Sequence, residues 1–371
     1  MADGRTQRRM LVLCPYPLGV AAGQRLKFEQ YYDDWRAGGW EVVPSPFMDE
    51  ALWEVAFKPG HFSAKAVGVA KGMLRRLRDL CRIRRFDLVY CFMYAAPIGS
   101  SLLERLVRKL ANRLVYDVED NVVAHVERAG TDHPNPLLRL LRGSGKYRYL
   151  IRTADHVVTS SPSLNERCLE FNQNKACTYI SSSIDSDRFQ PSNSYSHDGP
   201  VTIGWTGTFS SRPYLDLLRS VFQRLAKDRG FKLRVIGNFD YALPGVELEV
   251  IRWNADKEVT QLQGIDIGVY PLPFDDWVGG KSGLKAIQYM MMGLPCIATD
   301  VGTTPLIIRH DHNGLLVHSE QDWIDALKRL LDDPGLRRRL GEQARRDAVA
   351  NYSVAAVATD YRRVLASVMG G

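Results

Sequence analysis

The feature that most constrains this chain is one alternation, made twice. Short apolar runs are separated by longer stretches with helical spacing. In the first half the runs are MLVLC within Arg9–Pro15, Trp40–Val43, Leu88–Phe92, LVYDV at Leu114–Val118, HVVTS at His156–Ser160 and Ala176–Ile180. Between them, residues 24–37, 64–84, 99–111, 136–153 and Pro162–Glu170 read as helices. Runs that are continuously apolar belong to strands covered on both faces, and strand–helix alternation builds a parallel sheet. A polar, turn-rich stretch, Gln190–Pro200, follows. The alternation then restarts at Val201 with VTIGWTG, a helix at Tyr214–Asp228, and strands at Lys232–Ile236, Glu247–Ile251, Ile265–Tyr270, Cys296–Ala298 and Gly314–Val317. Helices at Glu320–Leu331, Leu336–Asn351 and Val354–Val368 close it. The expected fold is α/β, with two Rossmann-like doubly wound domains facing a cleft. The domains are residues 1–190 and 201–352, joined by a linker at 191–200. A last helix, 353–371, packs back toward the first domain. Ligands of such sheets bind outside the carboxyl ends of the strands.

The 371 residues suffice for two domains. No apolar run reaches the length of a membrane span, and the first ten residues are too polar and Arg-rich for a secretory signal. The six cysteines show no paired spacing, which points to reduced thiols in a cytosolic protein. Charge is uneven: residues 1–190 hold 28 Lys+Arg against 21 Asp+Glu, and residues 191–371 hold 21 of each. Much of the excess lies in Lys71–Arg85. There Met73, Leu74, Leu77, Leu80, Cys81 and Ile83 can share one side, flanked by Arg75, Arg78, Arg82 and Arg85. A solvated helix face, an amphipathic helix on anionic lipid and a nucleic-acid patch all fit this pattern; lipid is favoured, because no nucleic-acid motif accompanies it.

The stretch Gly279–Gly302, GGKSGLKAIQYMMMGLPCIATDVG, carries the chemistry. A loop of small residues opens a helix with an apolar stripe at Leu284, Ile287, Met291 and Met292. Ser282 is the expected N-cap, and Gly293 and Pro295 end the helix. Free amides and the positive end of the helix dipole suit a phosphate, and Lys281 and Lys285 add two cations. An ordinary capped helix with two solvated lysines would have the same spacing.

The succession TIGWTGTFSSRPYLDLL, LRVIG, DIGVYPLP, GGKSGLKAIQYMMMGLPCIATDVGTTPLII, HNGLLV and LLDDPGLRRRLGEQARRDA resembles the GT-B glycosyltransferases of family 4, over residues 200–352. The likeness continues more weakly through LGVAAGQR, VYDVEDN, TADHVVTSSPSLNERC and ISSSIDSDRF. It implies metal-independent transfer of a sugar from a nucleotide-sugar, with retention, in bacterial glycan or lipopolysaccharide synthesis. The first domain would bind the acceptor and the second the donor. By this resemblance Gly207, Thr208, Gly283, Leu284 and Lys285 approach the donor phosphates. Arg212 and Lys281 neutralise them, Gly237 lies beneath the base, and Gly302 and Thr303 lie beside the sugar. The family's paired glutamates fall at Gly280 and Gln288, and a later one at Leu306. The amide of Gln288 can still accept from a ribose hydroxyl, but Gly280 cannot replace a carboxylate. Lys281 and Lys285 match a GK-x-x-x-K subgroup.

The family's usual histidine at the fourth strand end is replaced by Asp117-Val118-Glu119-Asp120-Asn121. The resemblance makes Glu119 and Asp120 candidates to orient hydroxyls or take the acceptor's proton; an acidic loop cap is the competing reading. Gly19, Gly23 and Arg25 follow the first strand and are expected to meet the acceptor. His125, His133 and His156 lack ligand spacing, so no metal is expected. No cofactor is expected either, since the nucleotide-sugar is a substrate. Asp275-Asp276-Trp277 can cap the donor or form a surface turn. The expected location is cytoplasmic, or peripheral on the inner face of the membrane. The alternatives are a non-catalytic nucleotide-sugar-binding module and a nucleic-acid-binding protein.

Overall fold

A computed structural model describes residues 7–97, 100–119, 145–192 and 199–370. The chain forms two compact units: Met1–Ser181 with Ala358–Gly371, and Ser182–Val357. The division falls ahead of the expected linker. Its physical basis is that Arg345 donates to the carbonyls of Phe189 (2.6 Å) and Ser186 (2.9 Å), tying Ser182–Gln190 to the second unit. Residues 193–198 of that linker lie outside the described residues.

The first unit holds strands β1 (Arg8–Cys14), β2 (Trp40–Pro46), β3 (Leu88–Phe92), β4 (Leu114–Val118), β5 (His156–Thr159) and β6 (Cys177–Tyr179). Its described helices are α1 (Ala22–Arg25), α2 (Tyr32–Ala37), α3 (Glu50–Ala56), α4 (Phe62–Arg82), α5 (Leu102–Leu110), α6 (Gly145–Thr153) and α7 (Pro162–Phe171). The strands form one parallel sheet in the order β2-β1-β3-β4-β5-β6. β2 runs on through Pro44 and Pro46, which its place at the sheet edge permits, because an edge strand can spare ladder donors. The helix expected over 24–37 is broken by a 3₁₀ turn, Glu29–Tyr31. Here Phe28 and Trp35 pack on Tyr90, Tyr32 packs on both of them and Tyr31 is buried, and packing overrides the local pattern. Tyr361 sits on Tyr31 and Trp35, with ring centroids 4.6 and 5.8 Å away.

Helix α4 is turned the opposite way from the hydrophobic pattern. Its inner face is Gly68, Gly72, Arg76 and Asp79. Buried Arg76 bonds Asp79 and Ser45 (both 3.0 Å) and the carbonyls of Ala95 (2.6 Å) and Cys14 (3.0 Å). Burial pushes its guanidinium below the ordinary value, against the pull of Asp79. Ile83 is buried, Met73 and Leu80 are half-buried, and Leu74, Leu77 and Cys81 face solvent, so the expected single apolar side does not exist. Two of the four flanking arginines serve the fold: Arg75 donates to Pro46 O (2.6 Å), and Arg82 pairs with Asp79 (2.9 Å).

The second unit holds β7 (Thr202–Thr206), β8 (Lys232–Ile236), β9 (Glu247–Ile251), β10 (Ile267–Tyr270), β11 (Cys296–Thr299) and β12 (Gly314–Val317). Its helices are α8 (Arg212–Asp216), α9 (Arg219–Leu225), α10 (Glu258–Gln263), α11 (Leu284–Met291), α12 (Thr304–Ile307), α13 (Glu320–Asp332) and α14 (Pro334–Tyr352), and α15 (Val354–Val368) follows. The helix expected over Tyr214–Asp228 is two, and α3, α10 and α12 are short helices the pattern did not show. The parallel order β12-β11-β10-β7-β8-β9 has a switch point between β7 and β10. One face of this sheet carries a core cluster in which Trp205, Leu233, Val269 and Ile297 of the strands meet Phe222 and Leu327 of the helices.

Candidate functional site

In the second unit Gly207, Gly237 and Gly302 follow the carboxyl ends of β7, β8 and β11, and Gly283 opens α11. α11 begins one residue later than expected. Gly283 is its N-cap, at φ +72°, without a side-chain cap, and Ser282 is buried. A Cβ on Gly283 would sit 2.2 Å from Ile307 Cδ1 and 3.1 Å from Thr303 Oγ1, so glycine is required both for its left-handed backbone and for space. The neighbouring loop is laid against the same turn. Gly302 has φ +62° and room only for hydrogen, 2.8 Å from Val278 O. Thr303 Oγ1 donates to Lys281 O at 2.7 Å. Gly302, Thr303, Lys281 and Gly283 are therefore one constellation.

The other side of the loop is held by the sheet. Buried Tyr289 of α11 accepts from the Thr206 amide at the end of β7 (2.9 Å). Lys285 holds its ammonium 5.7 Å from the ring centres of both Trp205 and Tyr270, on the two strands that flank the switch point. Lys281 lies 5.8 Å from the Trp277 ring. Gly207 and Gly237 are adjacent, since a Cβ on Gly237 would come within 2.6 Å of Gly207 O. The Thr208 amide is taken by Ser211 Oγ (3.0 Å) in a capping box. Arg212, which follows that capping box, is 3.6 Å from Asp216 and beside Tyr241, which it shares with Arg219.

Gln288 is buried in α11, and its amide donates to Glu258 Oε1 at 3.3 Å. Glu258, itself buried, also receives Trp253 Nε1 (3.4 Å) and faces Arg188 (3.6 Å). The sequence reading named Gln288 and missed Glu258, Trp253 and Arg188. Glu258 stands in a short helix with no motif, and only its buried position singles it out.

In the first unit the loop after β1 is organised by a residue the sequence reading also missed, Glu29. Its carboxylate accepts from the Gly19 amide (2.8 Å) and from Gln24, and burial pushes it up against those bonds. Gly23 lies against Glu119, where a Cβ would come within 2.3 Å of Oε2. Arg25 lies close enough to Glu29 to stabilise its charge. Gly19, Gly23, Arg25 and Glu119 thus belong to one loop cluster. Asp117 does not join it. It is fully buried and ion-paired to Lys27, and it accepts from Tyr90, so its role is structural. Burial pushes the Asp117 carboxyl up, while Lys27 and Tyr90 hold it back. Asp120, Asn121, His125 and His133 lie outside the described residues. Among the described residues no group of three or more His, Cys, Asp or Glu could hold a metal ion, and no helix is long and apolar enough to cross a membrane.

Residues 200–333 match the family model described as "Glycosyl transferases group 1". A D-inositol 3-phosphate glycosyltransferase from Corynebacterium aurimucosum is 42% identical over 89 residues, covering 24% of this chain and 21% of that protein. The chain thus spans about a fifth of the length of that curated relative. Two solved structures share the fold over nearly the whole chain. Sucrose-phosphate synthase from Thermosynechococcus elongatus has a TM-score of 0.68 at 17% identity, covering 98% of this chain and 100% of that one. Anabaena HepE in complex with UDP-glucose has a TM-score of 0.65 at 14% identity, covering 97% and 99%. The match to the group 1 model falls within the second unit, and the two six-stranded parallel sheets share the α/β fold of these solved structures.

Proposed function

We propose that this chain is a retaining, metal-independent glycosyltransferase of family 4. It moves a sugar from a nucleoside-diphosphate sugar to a glycan or lipid-linked acceptor at the inner face of the membrane, in bacterial polysaccharide or lipopolysaccharide synthesis. The observation that carries the reading is the turn before α11, where Gly283 opens the helix at φ +72° and Lys285 stands over Trp205 and Tyr270 at the β7/β10 switch point. A diphosphate placed there meets backbone donors and positive charge. As the bond from the anomeric carbon to the diphosphate breaks, charge builds on the leaving oxygen, and Lys281, Lys285 and Arg212 stabilise it. The acceptor oxygen forms the new bond on the face the diphosphate leaves. Its proton passes to a carboxylate, for which Glu119 and Asp120 are the candidates, or to the departing phosphate. Gln288 accepts from the ribose. The HepE complex with UDP-glucose supports a uridine donor.

The loss of the family's acidic positions, above all at Gly280, favours one competing reading, a module that binds nucleotide-sugars without turning them over. A panel of nucleotide-sugars screened by thermal protection, followed by a transfer assay, separates the two. Protection by one donor and product formation are expected. Lys281→Ala should weaken donor binding by about tenfold, the value of one charge-assisted hydrogen bond, and leave the fold intact. Unchanged affinity in Lys281→Ala and Arg212→Ala together would refute the assignment. Protection without product would favour the module.

A further inference from the structure

The outward face of α4 has no role in the site just described, and its composition is unusual for a solvent face. Val67, Leu74 and Cys81 are two helical turns apart in succession, so they lie in one line, with Ala70 and Leu77 beside it. Val67 is 56% exposed, Leu74 66% and Leu77 51%, and Phe62 at the helix start is 82% exposed. Lys71 and Arg78 project from the same face, and Arg84 and Arg85 continue the exposed charge past its end.

Rotation of the helix cannot bury this stripe. The inner face is committed: a Cβ on Gly68 would come within 2.8 Å of Leu52, and one on Gly72 within 2.7 Å of Phe47. Turning α4 would also strip buried Arg76 of Ser45 and of the carbonyls of Ala95 and Cys14, a cost no exposed leucine offsets. The fold thus places charge inside and leucine outside by construction.

We infer that this face of α4 docks the protein on an anionic lipid bilayer, with the helix lying in the interface plane. The inference rests on the membrane location proposed above and names the surface that meets it. An apolar stripe edged by lysine and arginine has the two terms peripheral binding needs, burial of aliphatic groups among acyl chains and attraction to anionic headgroups. A second copy of the chain fits less well. In a two-fold contact the same patch faces itself, which would set the cations of one copy, Lys71 and Arg78, against those of the other.

The test uses the full chain without donor or acceptor, so it is independent of catalysis. Binding is measured by sedimentation with vesicles of phosphatidylcholine alone and of phosphatidylcholine mixed with phosphatidylglycerol. A solvatochromic label on Cys81, the exposed cysteine of the stripe, reports insertion. The wild type should partition onto the anionic vesicles, with the label shifting to the blue. Lys71→Glu with Arg78→Glu should lower the partition coefficient by about tenfold or more. Leu74→Ser with Leu77→Ser should lower it by about tenfold at unchanged charge. Reversing Arg338 and Arg346, exposed arginines of the second unit, should have little effect. Failure of the wild type to bind overturns the membrane location itself. Equal partition onto both vesicles, or wild-type partition by both stripe variants, overturns the assignment of this face. A dimer in light scattering that Leu74→Ser with Leu77→Ser dissociates would hand the face to a second copy.

Discussion

Gly283→Ala isolates what the start of α11 requires. At φ +72° an alanine costs about 1–2 kcal/mol in backbone strain alone. The new Cβ would also stand 2.2 Å from Ile307 Cδ1. That atom is the end of a side chain and can swing aside, at about 0.5–1.5 kcal/mol for an off-rotamer torsion. Thr303 Oγ1, 3.1 Å away, is held by its bond to Lys281 O and has less room to yield. The sum is about 1.5–3.5 kcal/mol. At about 2–4 °C per kcal/mol for a unit of this size, that lowers its melting temperature by about 3–14 °C. Ile307→Val deletes Cδ1, so the double variant should regain the torsional part but not the backbone part. Urea unfolding of the four proteins closes the cycle, and protection by the nucleotide reports whether the amides of Gly283 and Leu284 have moved. If Gly283→Ala is as stable as the wild type, or if Ile307→Val adds its own cost without any recovery, the close-packed turn is not what fixes this loop.

The remaining predictions concern buried polar pairs. Gln288→Glu would set a second carboxylate against Glu258, so donor affinity and stability should both fall, and Glu258→Gln in the same chain should restore them. A coupling of about 0.5–3 kcal/mol by titration calorimetry is expected, and additive effects would show that the pair is not coupled. Lys27→Met leaves Asp117 charged and buried without its partner, at a cost of about 3–5 kcal/mol, and Asp117→Asn alongside it should recover much of that. A urea midpoint for Lys27→Met close to that of the wild type would overturn the structural role given to the pair.

The strands were legible because a parallel sheet buried on both faces needs continuous apolar runs, and LVYCF, LVYDV and CIAT are such runs. The loop before α11 was legible because glycine and proline punctuate a helix visibly. Partners distant in sequence were not. Lys27 and Asp117 are 90 positions apart, and Gln288 and Glu258 are 30 apart, with no local pattern joining either pair. On α4 the expected single apolar side divides: Leu74, Leu77 and Cys81 face solvent, while Met73, Leu80 and Ile83 turn toward an inner side that two glycines and a salt bridge occupy. The cap of α11 was misread because a hydroxyl at Ser282 is the commoner solution, whereas crowding by Ile307 favours a glycine one position on.

The first unit is interrupted in sequence by the whole of the second, and this bears on how the protein is made. Tyr361, which packs on Tyr31 and Trp35, belongs to the returning segment Ala358–Gly371. A ribosome adding about 5–20 residues per second needs on the order of ten to thirty seconds to traverse Ser182–Val357. Throughout that interval the aromatic seat around Trp35 stands open to water, and a chaperone or a neighbouring nascent chain has its opportunity there. The half synthesised first is the half completed last.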